Sequence, residues 1–166
     1  ANRPRFSPKL PPVEELWSAR DDANLVLSLE RARSSDLVGA LFAIEGASRE
    51  RQANGIALLD AWGRRLASRG PIRHPIRQAE ALADFLGGEV GLRGDDEDYY
   101  AVANSRLSHV LSRRRGMPIL LSLVWMEIGR RASIPVEGIG MPGHFIVRVG
   151  GSRGVYADPF TGGRLL

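Results

Sequence analysis

Cysteine is absent from all 166 residues. That excludes disulfides, thiolate metal sites and a thiol nucleophile within the chain. Lysine is nearly absent as well: Lys9 is the only one, so the net charge of +4 is carried by arginine. Arginine usage of this kind often follows genome composition. No aromatic residues interleave with a basic stripe and no nucleic-acid motif occurs, so a nucleic-acid partner is not expected. No run approaches the roughly 18 apolar residues that a membrane span needs. The first residues, ANRPRFSPKLPPVEEL, contain no apolar signal segment, and a cytoplasmic location is the expectation. Four prolines among the first twelve residues predict an extended arm. The three histidines, His74, His109 and His144, show no HxH or HxxxH spacing, so no metal or other cofactor is expected.

Apolar residues make up 43% of the chain, enough for one folded domain with a real core. Helical patterning dominates the first half. Residues 12–31 read as one or two helices, and residues 36–45 as a short buried helix that starts at Ser34, Ser35 or Asp36. A long amphipathic helix is expected over 48–68, with Ile56, Leu59, Trp62 and Leu66 on one face and Gly70-Pro71 after its end. Another is expected over 76–86, stopped by Gly87-Gly88. The acidic segment GDDEDYY, residues 94–100, predicts the cap of a helix from about Tyr100 to Arg114. Its charges could meet Arg113, Arg114 and Arg115.

The chain is organised around Arg113–His144. Residues 117–132 stay almost uncharged until Glu127 and predict a helix buried on nearly all sides. Pro118 stands near its start, where a missing N–H costs nothing. Gly116 before it permits a sharp turn. Arg130 and Arg131 suit the negative end of the helix dipole. Three strands follow, at about 135–141, 144–149 and 153–158. Gly150-Gly151 marks a hairpin turn, so the pairing is expected to be antiparallel. Glu127 needs a partner inside an apolar helix, and a structural ion pair is the favoured reading.

These residues together resemble a known family. The run Gly116-Met117-Pro118, the buried helix, Ser133-Ile134-Pro135, then Pro142-Gly143-His144-Phe145, then Asp158-Pro159-Phe160 is similar to the bacterial transglutaminase-like proteins of the YchA/SirB type. Asn104-Ser105, Arg113-Arg114, Leu121-Ser122 and Glu137-Gly138 belong to the same pattern, which covers about a third of the chain. The resemblance implies an α+β fold: a helical N-terminal half packed on a papain-like core with a central buried helix and a small antiparallel sheet. It implies a division at 1–97 and 98–166. It also implies continuation into tetratricopeptide-like helices, and the terminal Leu165-Leu166 fits a truncated chain. In active members a Cys opens the central helix, and His and Asp follow on two strands. Here the nucleophile's position falls on Pro118, leaving His144 and Asp158 as a triad relic. The site implied around them draws on Asn104, Arg114, Gly116, Glu127, Gly143 and Phe145. The function implied is that of a catalytically inactive domain acting as a binding or regulatory module, with a protein or peptide partner. The alternative is a hydrolase that uses His144 and Asp158 on water without a Cys.

Overall fold

The computed structural model describes residues 36–166. The expected helices over 12–31 and the proline arm lie outside the described residues. Contacts divide the chain into two units, Ala1–Gly46 and Ala47–Leu166. The described part of the first unit is one helix, α1 (Leu37–Ile44), whose N-terminus is capped by the Asp36 carboxylate accepting from the Gly39 N–H at 2.9 Å.

The second unit holds the rest. Its first helix, α2 (Arg49–Ala67), is capped by Ser48 and buries Leu59, Trp62 and Leu66 along one face. These are the residues the 3.6-residue period marked, except Ile56, which is 41% exposed. Next comes α3 (Pro75–Leu82), with proline at its first position. The expected stop at Gly87-Gly88 does not occur, because the helix widens into a π-helical turn over Ala83–Glu89. A Cβ on Gly87 would stand 1.9 Å from the Gly162 carbonyl oxygen. Glycine serves close approach there, not termination.

The helix expected from Tyr100 begins only at Leu107. Residues Val102–Ser105 form a 3-10 turn, Arg106 is extended, and α4 spans Leu107–Arg113. Arg114 caps α4 in the left-handed conformation, φ 59°. A short parallel pair that the sequence did not announce joins β1 (Arg93–Gly94) to β2 (Arg115–Gly116).

Immediately after β2, the central helix α5 (Pro118–Arg131) starts at the expected place. Leu121, Trp125 and Ile128 are fully buried. Each such side chain contributes on the order of 2 kcal/mol from removal of apolar surface from water. On one flank α2 packs so closely that a Cβ on Gly63 would stand 2.4 Å from Arg131 Cβ. On another flank lies an antiparallel sheet in the order β3-β4-β5-β6. Its strands are β3 (Val136–Met141), β4 (His144–Val149), β5 (Val155–Asp158) and β6 (Arg164–Leu165). The first three lie about where the sequence placed them, with β5 starting at Val155 after a 3-10 turn over Gly151–Arg153, and β6 closes the sheet by pairing Ala157 with Leu165.

The register orients the helix on the sheet. Ser122 Oγ lies 3.5 Å from the Phe145 carbonyl oxygen, at the start of β4. A Cβ on Gly129 would meet Val136, which pairs with Val149 at the other end. The N-terminus of α5 therefore lies at the His144 end of the sheet. The architecture is α+β, with a central buried helix and a small antiparallel sheet. Among the described residues, no helix is long and apolar enough to cross a membrane.

Candidate functional site

His144 opens β4 directly after the turn Pro142-Gly143. Proline presets the first turn position, and Gly143 supplies φ 71° at the second, a conformation that favours glycine. Gly143 therefore sets the hairpin that delivers His144 to its place. The His144 Nε2 lies 3.1 Å from Asp158 Oδ2, within ion-pair reach. Asp158 is fixed from both sides: Oδ1 accepts from the Phe160 N–H at 2.9 Å, and its backbone carbonyl accepts from the Gly163 N–H at 2.8 Å. Asp158 is buried, while the His144 side chain keeps 31% of its surface. With Nε2 turned to Asp158, Nδ1 is the ring nitrogen left for a ligand, and no hydrogen bond to it occurs among the described residues.

The surroundings link this pair to the start of α5. The His144 and Phe160 rings stand edge to face at 6.2 Å, and Phe160 lies 5.9 Å from Tyr99. The Asn104 Nδ2–H donates to the Tyr99 and Asp98 carbonyls at 3.3 and 2.7 Å. The Asn104 carbonyl in turn accepts from the Met117 N–H at 3.1 Å, next to Pro118. Pro118 is the first residue of α5 and is buried. A helix N-terminus stabilises a thiolate through its dipole and free N–H groups. Proline offers neither a nucleophile nor an N–H.

The other implied residues take different places. Asn104 is 1% exposed and works as a brace, as the bonds above show. Its Oδ1 accepts from Arg113 Nη1–H at 3.0 Å, and Arg113 Nη2–H reaches Asp95 Oδ2 at 3.0 Å. Burial pushes the Asp95 carboxyl up, but hydrogen bonds from the Asp98 N–H, Asn104 and Arg113 outweigh it and hold the group below the usual carboxylate range. So the acidic segment does meet the arginine run, through Asp95 and Arg113, while Asp96 and Glu97 are exposed. Arg114 is exposed and forms no ion pair among the described residues; its carbonyl accepts from the Arg93 N–H at 3.2 Å.

Gly116 is not in a turn conformation, contrary to expectation. It is buried, and a Cβ there would stand 2.8 Å from Val110 Cγ2, so the need is for close packing. Glu127 lies nine residues into α5 and is held by Arg130 at 3.1 Å and by Arg131, which also reaches Asp60 of α2 at 2.9 Å. The favoured reading of Glu127 as an ion-pair partner describes these contacts. Phe145 spreads over Gly138 and Gly140 on the sheet face that Met126 of α5 covers. The His144 ring, one residue before Phe145 on β4, turns to Asp158. The Ser122 hydroxyl points across to β4 rather than to the carbonyl one turn back.

Among the described residues no group of three or more His, Asp or Glu is placed to hold a metal ion. The brace of Asn104, Asp95 and Arg113 was missed as a unit. Its signal was the acidic segment lying 18 residues before an arginine run.

Comparison with known proteins agrees with this plan. Residues 53–166 match the model of the transglutaminase-like superfamily. The chain is 41% identical over 93 residues to a UPF0162 protein of Xylella fastidiosa, which covers 55% of this chain and 33% of that one. A UPF0162 protein of Vibrio cholerae is 33% identical over 85 residues, half of this chain and 32% of its own. F-box only protein 21 of Mus musculus is 33% identical over 82 residues, 49% of this chain and 13% of that protein. The chain thus spans about a third of the length of the UPF0162 relatives. No solved structure matches it. With the family model covering more than half of its residues, the chain belongs to the transglutaminase-like superfamily.

Proposed function

We propose that this domain is a catalytically inactive transglutaminase-like module that binds a protein or peptide partner beside His144. The observation that carries the reading is Pro118 as the first residue of the central helix, in a chain without cysteine, while His144 and Asp158 remain joined at 3.1 Å. The pair retains the capacity to orient an imidazole and to offer Nδ1 to a donor on a ligand. It lacks the group that would form a covalent intermediate. Loss of the nucleophile in a hydrolytic triad leaves about 10³–10⁴-fold acceleration over water, so covalent acyl transfer is not the function. The likeness to one part of F-box only protein 21 fits a module that serves a longer chain.

A second reading rests on the same contact: His144, a third exposed and held by Asp158, could act as a general base on water. One experiment separates the two. Wild type and His144→Ala are assayed side by side on chromogenic amide and ester substrates. The module reading expects both to match buffer. Turnover that disappears in His144→Ala would replace it with the hydrolase reading.

A further inference from the structure

The sheet has two edges, and they are built differently. The β6 edge is two residues long and carries Arg164. The β3 edge is six residues long, contains neither proline nor lysine, and pairs with β4 alone among the described residues. Proteins usually blunt an exposed edge with proline, lysine, bulges or very short strands, because unpaired backbone groups template another strand. Its one charge, Glu137, is tied across the strand to Arg148.

The hairpin register shows which backbone groups are open. Met141 and His144 close a two-residue turn, so theirs is a hydrogen-bonded pair. Alternation makes Ile139 with Ile146 and Glu137 with Arg148 the other bonded pairs. The Gly150 N–H to the Pro135 carbonyl, 2.9 Å, keeps the same phase. The N–H and C=O groups of Val136, Gly138 and Gly140 therefore point away from β4. Two of these three residues are glycines, so only Val136 carries a side chain along the row. The glycines also leave the half-buried Phe145 ring open toward the edge: a Cβ on Gly138 would stand 2.7 Å from that ring. The row ends at Met141, directly opposite His144.

We propose that β3 is a docking edge for an extended peptide segment of a partner protein, paired through the backbone of Val136, Gly138 and Gly140 with an apolar side chain against Phe145. This rests on the module reading and names its class of partner. Backbone pairing supplies the affinity, and the strand leads the peptide's end to His144.

Gly140→Pro tests this. It removes an outward N–H without breaking a β3–β4 bond, and the site has room, since a Cβ at Gly140 lies 3.7 Å from Phe145. Gly140→Ala keeps the N–H and serves as control. A randomised heptapeptide display library is selected on the wild-type domain, and an enriched peptide is synthesised. The expected result is equal binding to wild type and Gly140→Ala, at least tenfold weaker binding to Gly140→Pro, and slowed amide exchange at Gly138 and Gly140 on binding. A version of the peptide N-methylated at alternate amides should not bind. No enrichment, or equal binding to Gly140→Pro and of the N-methylated peptide, would overturn the proposal. So would amide protection that grows with protein concentration without peptide, since a second copy would then cover the edge. The peptide is also checked for cleavage: His144-dependent cleavage would overturn the module reading and leave the docking edge standing.

Discussion

Replacing Asp95 with Ala should loosen the segment that supports the His144 pair, and the size of the effect follows from its bonds. The carboxylate accepts from Arg113 Nη2–H at 3.0 Å and from the Asp98 N–H at 3.2 Å. Hydrogen bonds to charged groups contribute roughly 1.5–3 kcal/mol each when buried. The Arg113 side chain is 39% exposed and rehydrates easily, so the pair with it deserves a smaller figure. A loss of about 2 kcal/mol at pH 7 follows for Asp95→Ala. The pH dependence fixes the mechanism. The folded-state pKa of Asp95 is depressed, so its contribution is fully present above the unfolded value of about 3.9 and is lost as pH falls through the folded one. Urea unfolding of wild type and Asp95→Ala at pH 7, and at acid pH down to the limit of folding, measures this. The gap between the two proteins should be widest near neutrality and shrink in acid. A gap below about 0.5 kcal/mol at pH 7, or one that does not change with pH, would refute the argument.

Arg131→Ala should destabilise by about 2–3 kcal/mol, because Glu127, 14% exposed, keeps only Arg130 and the link to Asp60 of α2 is cut. Chemical denaturation reads this, and Arg130→Ala, removing a 66% exposed side chain, should cost under about 1 kcal/mol. Gly129→Ala should cost roughly 1–3 kcal/mol by overpacking, since the new Cβ would stand 2.4 Å from Val136 Cγ2 and 2.8 Å from the Ile134 carbonyl oxygen. A thermal midpoint equal to that of wild type would show that the α5–β3 junction yields more easily than its spacing implies.

What the sequence revealed depended on how local the cause was. The central helix was legible because an apolar run with Pro118 at its start and arginines at its end is a complete local signal. The β3–β4 hairpin was legible because Pro142-Gly143 fixes its own turn. The π-helical turn was not, because the reason for Gly87 lies at Gly162, 75 positions further along. The same holds for Gly116, read as a turn residue but packed on Val110. The late start of α4 reflects Asn104, whose side chain and carbonyl are committed to Tyr99, Asp98 and Met117 instead of a helical ladder. At the site, the pattern named His144 and Asp158 and implied that they meet; the structure sets them 3.1 Å apart. Phe145 and Glu127, drawn into the site by the same pattern, point elsewhere for packing and charge-pairing reasons.

Pro118→Cys tests most directly whether this is a transglutaminase-like site with its nucleophile replaced. The chain contains no other cysteine, so thiolate absorbance near 240 nm reports that one group as pH is raised. A thiol at the helix N-terminus beside an imidazole should ionise below the free value of about 8.5. Adding His144→Ala should move the midpoint back up. Amide hydrolysis should remain absent, since turnover also needs donors placed for an oxyanion. A midpoint at or above about 8.5 that ignores His144 would show that position 118 does not face the pair, and the account of this site would fall.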